Sequence, residues 1–122
     1  MTGEEGRVAI RAHEPNYENP IAVRKGDVVV LSGRRLEWDG KKENVWFWAT
    51  GPDGREGWVA DDLAVEMDGI MVATYDYDSM ELKVEPGDFL NVQTCKNGWC
   101  LCTNDREETG WVPDRIFRLP DG

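Results

Sequence analysis

Met71-Val-Ala-Thr-Tyr-Asp-Tyr77 sets apolar residues and two tyrosines at every-second spacing in front of a group of turn residues. Strand side chains alternate sides, so Tyr75 and Tyr77 share one face, and aromatics so placed can pave a peptide-binding surface. The stretch reads as the first strand of a small barrel. Further landmarks follow in order: Glu81-Leu82, Gly87-Asp88, Trp99, and then Gly110-Trp111-Val112-Pro113-Asp114.

The same landmarks occur once more, in degenerate form, upstream. Ala9-Ile-Arg-Ala-His13 lies opposite Ala73-Thr-Tyr-Asp-Tyr77, and Ile21-Ala-Val-Arg-Lys-Gly-Asp27 opposite Leu82-Lys-Val-Glu-Pro-Gly-Asp88. Trp46-Phe-Trp-Ala49 matches Trp99-Cys-Leu-Cys102, and Gly57-Trp-Val-Ala-Asp61 matches Gly110-Trp-Val-Pro-Asp114. The chain is a tandem repeat, with a first domain expected over 1–66 and a second over 68–122.

Composition bounds the function. The 122 residues carry 24 acidic and 14 basic side chains, a net charge of −10. Divided at Met67, the acidic and basic counts are 13 and 9 in the first part, 11 and 5 in the second. Nucleic acid and anionic membranes are bound by exchanging counterions for Lys and Arg, so a charge of this sign on both parts argues against either partner. No apolar run is long enough to cross a bilayer, and the N-terminal residues have neither a basic nor an apolar signal region, so a cytoplasmic protein is expected. Cys95, Cys100 and Cys102 are odd in number and confined to one part, which predicts free thiols rather than a secreted disulfide framework.

Along the chain, a first strand is expected over Arg7 to Ala12, then a turn-rich loop from Glu14 to Pro20. Lys25-Gly-Asp27 turns into Val28-Val-Val-Leu31, apolar on successive positions and so a well-buried strand. Ser32 to Asn44 reads as a long polar loop: Gly26 to Gly57 spans 31 residues against 23 from Gly87 to Gly110, an excess of eight. Val45 to Thr50 and Glu56 to Val59 form a hairpin across Gly51-Pro-Asp-Gly54. Val65 to Ile70 is read as a short linker. Pro86-Gly87 suits a type II turn and Asn97-Gly98 a tight hairpin. Helix is limited to single 3₁₀ turns at Asp61-Asp62-Leu63 and Asp114-Arg115-Ile116.

The order Ala-Thr-Tyr-Asp-Tyr, Glu-Leu, Gly-Asp, Trp and Gly-x-x-Pro resembles the Src homology 3 (SH3) family, in the tandem, stand-alone style of prokaryotic variants. The resemblance implies an all-β protein of two small five-stranded barrels. It also implies a shallow peptide groove on the second barrel, lined by Tyr75, Tyr77, Trp99 and Pro113, with Trp111 at its edge and Glu81 or Asp78 to attract a basic ligand residue. Such grooves take polyproline II peptides, which are already extended and lose little entropy on binding. Two features depart from the pattern. Ile116 stands where the family's last groove tyrosine would be, and the loop between Tyr77 and Leu82 is about three residues short, leaving less acidic rim. In the first barrel Arg11 and His13 replace the groove tyrosines, Ala60 the proline and Leu63 the last tyrosine. Only Trp46 remains, with Trp58 beside it, so this barrel is expected to have no proline groove.

No reaction is indicated. His13 is the single histidine and reads as a surface residue. The cysteines offer three ligands where zinc needs four, and no phosphate loop, nucleophile elbow or metalloprotease motif occurs. Neither a metal nor another cofactor is expected, and the chain is not expected to be an enzyme. The expected function is weak binding of extended peptides by the second barrel, proline-rich ones among them, in a monomer whose barrels pack together. The alternative is an assembly module in which the two barrels form one rigid unit and use another face. An open trough at Tyr75, Tyr77 and Trp99 favours the first reading, and a trough filled by the first copy or by a loop favours the second.

Overall fold

The computed structural model describes residues 5–15 and 20–118. Eleven strands follow one another: β1 (Glu5–Val8), β2 (Ala22–Val23), β3 (Val28–Glu37), β4 (Val45–Thr50), β5 (Glu56–Ala60), β6 (Ala64–Met67), β7 (Ile70–Ala73), β8 (Tyr77–Asp78), β9 (Phe89–Lys96), β10 (Trp99–Thr103) and β11 (Thr109–Pro113). Single 3₁₀ turns lie at Trp38–Gly40 and Asp114–Phe117. The protein is all-β, as the repeated landmarks require.

The strands do not sort by repeat. Unit 1 consists of Met1–Asn16 with Glu81–Gly122, and unit 2 of Tyr17–Met80. The compact units therefore differ from the expected division into 1–66 and 68–122, because each repeat gives its first strand to the other's barrel. In unit 1 the sheet order is β1-β9-β10-β11, with Glu5 to Val8 of the first repeat paired to Val92 to Phe89 of the second. His13 continues this pairing as a bridge to Val84. In unit 2 the order is β5-β4-β3-β7-β6, so β7 of the second repeat lies between two strands of the first, and β2 pairs with β8.

The shortened loop after Tyr77 gives the physical reason. Tyr77 pairs with Val23 and Asp78 with Ala22. For the second repeat to close on itself, Tyr77 and Asp78 would have to pair instead with Val84 and Lys83, their repeat equivalents. Ser79-Met80-Glu81-Leu82 would then form the whole reversal. That segment has no Gly, Asn or Pro, none of its residues has positive φ, and Leu82 is a core residue at 6% exposure. A tight reversal needs residues that tolerate positive φ. The segment instead connects unit 2 to unit 1, and a short connection that cannot readily reverse is the kind that favours strand exchange.

Each unit has its own core. In unit 1 Ala9 packs with Leu82, Val84, Leu90, Val92, Cys100, Cys102, Val112 and Ile116. In unit 2 Ala73 joins Ile21, Val23, Val29, Ala49, Val59 and Leu63, with Tyr75 and Tyr77 partly buried against them. The donated strand thus supplies a fully buried alanine to each core, at 1% and 2% exposure.

Several local expectations are corrected. Val65 to Ile70 is not a linker between barrels but the tip of the β6–β7 hairpin inside unit 2, turning at Asp68-Gly69 with φ of 53° and 84°. Positive φ at both central residues is a type I′ turn, which matches the twist of antiparallel strands. The polar loop from Ser32 is half strand: β3 runs to Glu37 and stays paired with β4 as far as Val45, with an irregularity between Leu31 and Arg35. Gly33, at φ 92°, supplies the left-handed residue that such a bulge uses. The buried strand expected at Val28 to Leu31 buries only Val29, because the strand alternates sides and Val28 and Val30 face outward. The first strand lies at Glu5–Val8 rather than Arg7 to Ala12. Residues 61–63 make a turn closed by the Leu63 N–H donating to the Ala60 carbonyl at 3.0 Å.

The cysteines also depart from expectation. Cys95 and Cys100 face each other across β9 and β10 and form a disulfide, leaving the buried Cys102 as the free thiol. Alternation puts Cys100 and Cys102 on one face, but register brings Cys95 opposite Cys100, and register is not legible from cysteine spacing alone. Disulfides are uncommon in the cytoplasm, so the cysteines no longer argue for that compartment.

Candidate functional site

The strand exchange divides the expected groove. Tyr75 and Tyr77 belong to unit 2, whereas Glu81, Trp99, Trp111 and Pro113 belong to unit 1. Each barrel thus has a hybrid face, with its first-strand side chains from one repeat and its tryptophan hairpin from the other.

On unit 2 the two tyrosines are fixed at their tips. The Tyr75 hydroxyl donates to Asp62 Oδ1 at 2.8 Å, and the Tyr77 hydroxyl donates to the Trp58 carbonyl at 2.8 Å. Burial first, then the Asp62 acceptor bond and the charges of Asp62 and Asp61, push Tyr75 ionisation well above its ordinary value. Trp58 stands directly across from Trp48 on β5 and β4, the rings meeting edge to face at 5.2 Å. The Arg34 guanidinium lies over both, 5.0 Å and 5.2 Å from the ring centres. A cation over an indole face is attracted by the ring quadrupole, so the three side chains hold one another in place.

Beside Tyr77 a cleft of about 600 Å³ is lined by Asp27, Asp53, Asp76 and Asp78 against Arg24 and Arg55. Asp53 is tied to Arg55 at 2.6 Å, and the Arg55 main-chain N–H together with its guanidinium holds that carboxyl below its usual range. Asp76 accepts from the Lys25 N–H and Asp27 from the Arg24 N–H, each at 2.9 Å. Neutral amide donors leave the charge of these carboxylates in place, so the cleft is net negative.

On unit 1 the arrangement is closed. His13 Nε2 lies 2.7 Å from Glu81 Oε1, both side chains are only 10% exposed, and the imidazole meets the Trp99 ring edge-on at 5.4 Å. His13 is therefore not the surface residue expected. It occupies the place of a groove tyrosine and takes up the carboxylate expected to attract a ligand. Trp111 is 8% exposed and Pro113 is fully buried, so neither offers the ring surface expected of it. Glu81 and Trp111 are bridged through the main chain. Sequence reading missed His13 with Glu81 because 68 positions separate them, and only the exchange brings them together.

The sequence families agree with the repeat. The variant SH3 domain family matches residues 8–63, and the SH3 domain family matches residues 72–114. The chain carries two SH3 domains in tandem. Neither the curated proteins nor the solved structures contain a match to it. The matched spans are contiguous, whereas the compact units are not: the 8–13 end of the first SH3 domain sits in unit 1 and the 72–80 end of the second in unit 2. SH3 domains are non-catalytic and generally act as peptide-binding interaction modules. Among the described residues no group of three or more His, Cys, Asp or Glu is placed to hold a metal ion, and no helix is long and apolar enough to cross a membrane.

Proposed function

We propose that this tandem SH3 chain binds extended, basic peptides weakly, proline-rich ones among them, along Tyr75 and Tyr77 of unit 2. The observation that carries the reading is the pair of tyrosines, half-buried and fixed at their hydroxyls by Asp62 and Trp58, with Tyr77 lining the acidic cleft. Ordered aromatic walls suit a polyproline II segment, which is pre-extended, while the carboxylates favour a flanking Arg or Lys. Compared with the groove read from the second repeat alone, Asp62 and Trp58 of the first repeat hold the tyrosine hydroxyls, and Trp46, the repeat counterpart of Trp99, is buried.

Titration with an arginine-flanked proline-rich peptide, followed by nuclear magnetic resonance, is expected to move the amides of Tyr75, Tyr77, Trp58 and Asp62. Tyr75→Ala is expected to abolish the effect. Shifts confined to His13 and Trp99 would refute the assignment. The assembly reading draws on one observation of its own: on unit 1 a side chain of the first repeat, His13, stands over Trp99 where a peptide would otherwise lie.

A further inference from the structure

The disulfide between Cys95 and Cys100 belongs to unit 1, and peptide binding at Tyr75 and Tyr77 of unit 2 makes no use of it. One extra residue places it. Leu101 pairs with Thr94, but the next residue of β10, Cys102, pairs with Val92, so Gln93 is left over as a bulge. The bulge shifts the phase of β9 by one residue. Val92, opposite Cys102, and Cys95, opposite Cys100, therefore share the core face of the sheet although they are three positions apart. Beyond Val92 the strand leaves the cover of the core: Gln93, Thr94 and Cys95 are all exposed, whereas Cys100 and Cys102 are at 0% exposure. The bond thus joins an exposed residue to a buried one.

It is a poor structural staple. A cross-link stabilises according to the length of chain it closes into a loop, and this one spans a sequence separation of only 5. The same loop is already closed, one pair nearer the tip, where Lys96 pairs with Trp99 across Asn97-Gly98. With φ of 50° and 89°, those two residues make a type I′ turn, which holds a hairpin by itself. The core of unit 1 packs nine buried residues, of which only Cys100 belongs to the bond. Exposed disulfides of this kind are the ones that exchange readily with thiols.

We infer that Cys95 and Cys100 form a reversible thiol–disulfide site, in which Cys95 is modified by an external small thiol or dithiol and Cys100 resolves the adduct. An incoming thiolate attacks Sγ of Cys95. The bond to Cys100 breaks, Cys100 leaves with the electron pair and takes up a proton, and Cys95 is left in a mixed disulfide with the reagent. A second thiolate attacks the reagent's sulfur, releasing the oxidised reagent as a disulfide and Cys95 as a thiol. The protein gains two electrons and two protons, and two external thiols become one disulfide. In the reverse direction Cys100, held opposite Cys95 in the ladder, attacks Sγ of Cys95 and expels the reagent as a thiol. Attack at Cys100 instead would require the reagent to enter the core. Cys102 does not start the exchange: it lies opposite Val92, and burial pushes its thiol up to about 11, which leaves little thiolate at neutral pH. The pairs Lys96 with Trp99 and Thr94 with Leu101 flank the site on both sides, so the hairpin keeps its register whether the bond is open or closed.

The test equilibrates the whole chain at neutral pH in glutathione buffers running from fully oxidised to fully reduced. Acid-quenched samples are read by mass spectrometry of the chain and its peptides, and circular dichroism is recorded in the same buffers. The bond is expected to open within the millimolar range of reduced glutathione while the circular dichroism stays that of a folded chain. Cys100→Ala, which cannot close the bond, is expected to take up one glutathione at Cys95 from oxidised glutathione, and Cys100→Val repeats the measurement with the core volume kept. In Cys95→Ala, uptake at the buried Cys100 should be roughly tenfold slower or more. The wild-type series stands by itself if a variant fails to fold. A bond that stays closed in every buffer, or that opens only as the circular dichroism collapses, overturns the proposal. So does a folded Cys100 variant left unmodified at Cys95, or equally fast uptake at Cys100 in folded Cys95→Ala.

Discussion

Separating the chain into fragments 1–67 and 68–122 cuts it at the tip of the β6–β7 hairpin, between the two SH3 domains as the sequence orders them. Side-by-side domains would survive this cut, but exchanged ones would not. The second fragment loses β1 and the segment from Ala9 to His13. With it go five main-chain hydrogen bonds of 2.7 to 2.9 Å: Ala9 to Asp88, Ile10 to Ile116, Gly87 to Ala9, and His13 with Val84 in both directions. At a net 0.5–1.5 kcal/mol each, these are worth about 2.5–7.5 kcal/mol, before the β1–β9 ladder or the buried Ala9 is counted. A unit of roughly 60 residues has only about 3–9 kcal/mol of stability in total. The first fragment fares worse, since it loses β7 from the middle of its sheet. Each fragment alone is expected to be largely unfolded by circular dichroism and by nuclear magnetic resonance. Mixed in equal amounts, they should form a one-to-one complex with the spectrum of the intact chain. Two fragments that each give a dispersed spectrum alone, unchanged on mixing, would refute the exchange.

Other expectations follow from single side chains. A Cβ at Gly110 would lie 2.8 Å from the Leu82 amide nitrogen and 3.0 Å from the Glu81 carbonyl carbon, backbone that cannot step aside, so Gly110→Ala is expected to destabilise unit 1 by about 1–3 kcal/mol in urea unfolding. The Tyr75 hydroxyl ionises above its ordinary 10.0 in the folded state, so its contribution is complete below pH 10 and is lost as pH rises through the folded value. Stability measured across alkaline pH should fall less steeply in Tyr75→Phe. Thiol titration of the denatured protein should find one reactive group without reductant and three after reduction. In the folded protein Cys102, pushed up to about 11 by burial, should resist alkylation at pH 8.

The sequence alone determined what is local. Alternating side chains marked the strands, and Gly51-Pro-Asp-Gly54, Pro86-Gly87 and Asn97-Gly98 marked the turns, because these choices depend on backbone sterics within a few residues. The order of landmarks was enough to identify two SH3 repeats. The tertiary structure decided which repeat each strand would join. The repeats are alike, so Ala9 and Ala73 suit either core, and the choice turns on whether Ser79-Met80-Glu81-Leu82 can reverse the chain. That choice carried the rest with it: Tyr75 and Tyr77 went to Asp62 and Trp58, His13 went to Glu81 and Trp99, and Val65 to Ile70 became a hairpin. A pairing between residues 68 positions apart leaves no mark on the residues near either one, because each meets the other's environment only after the chain has closed.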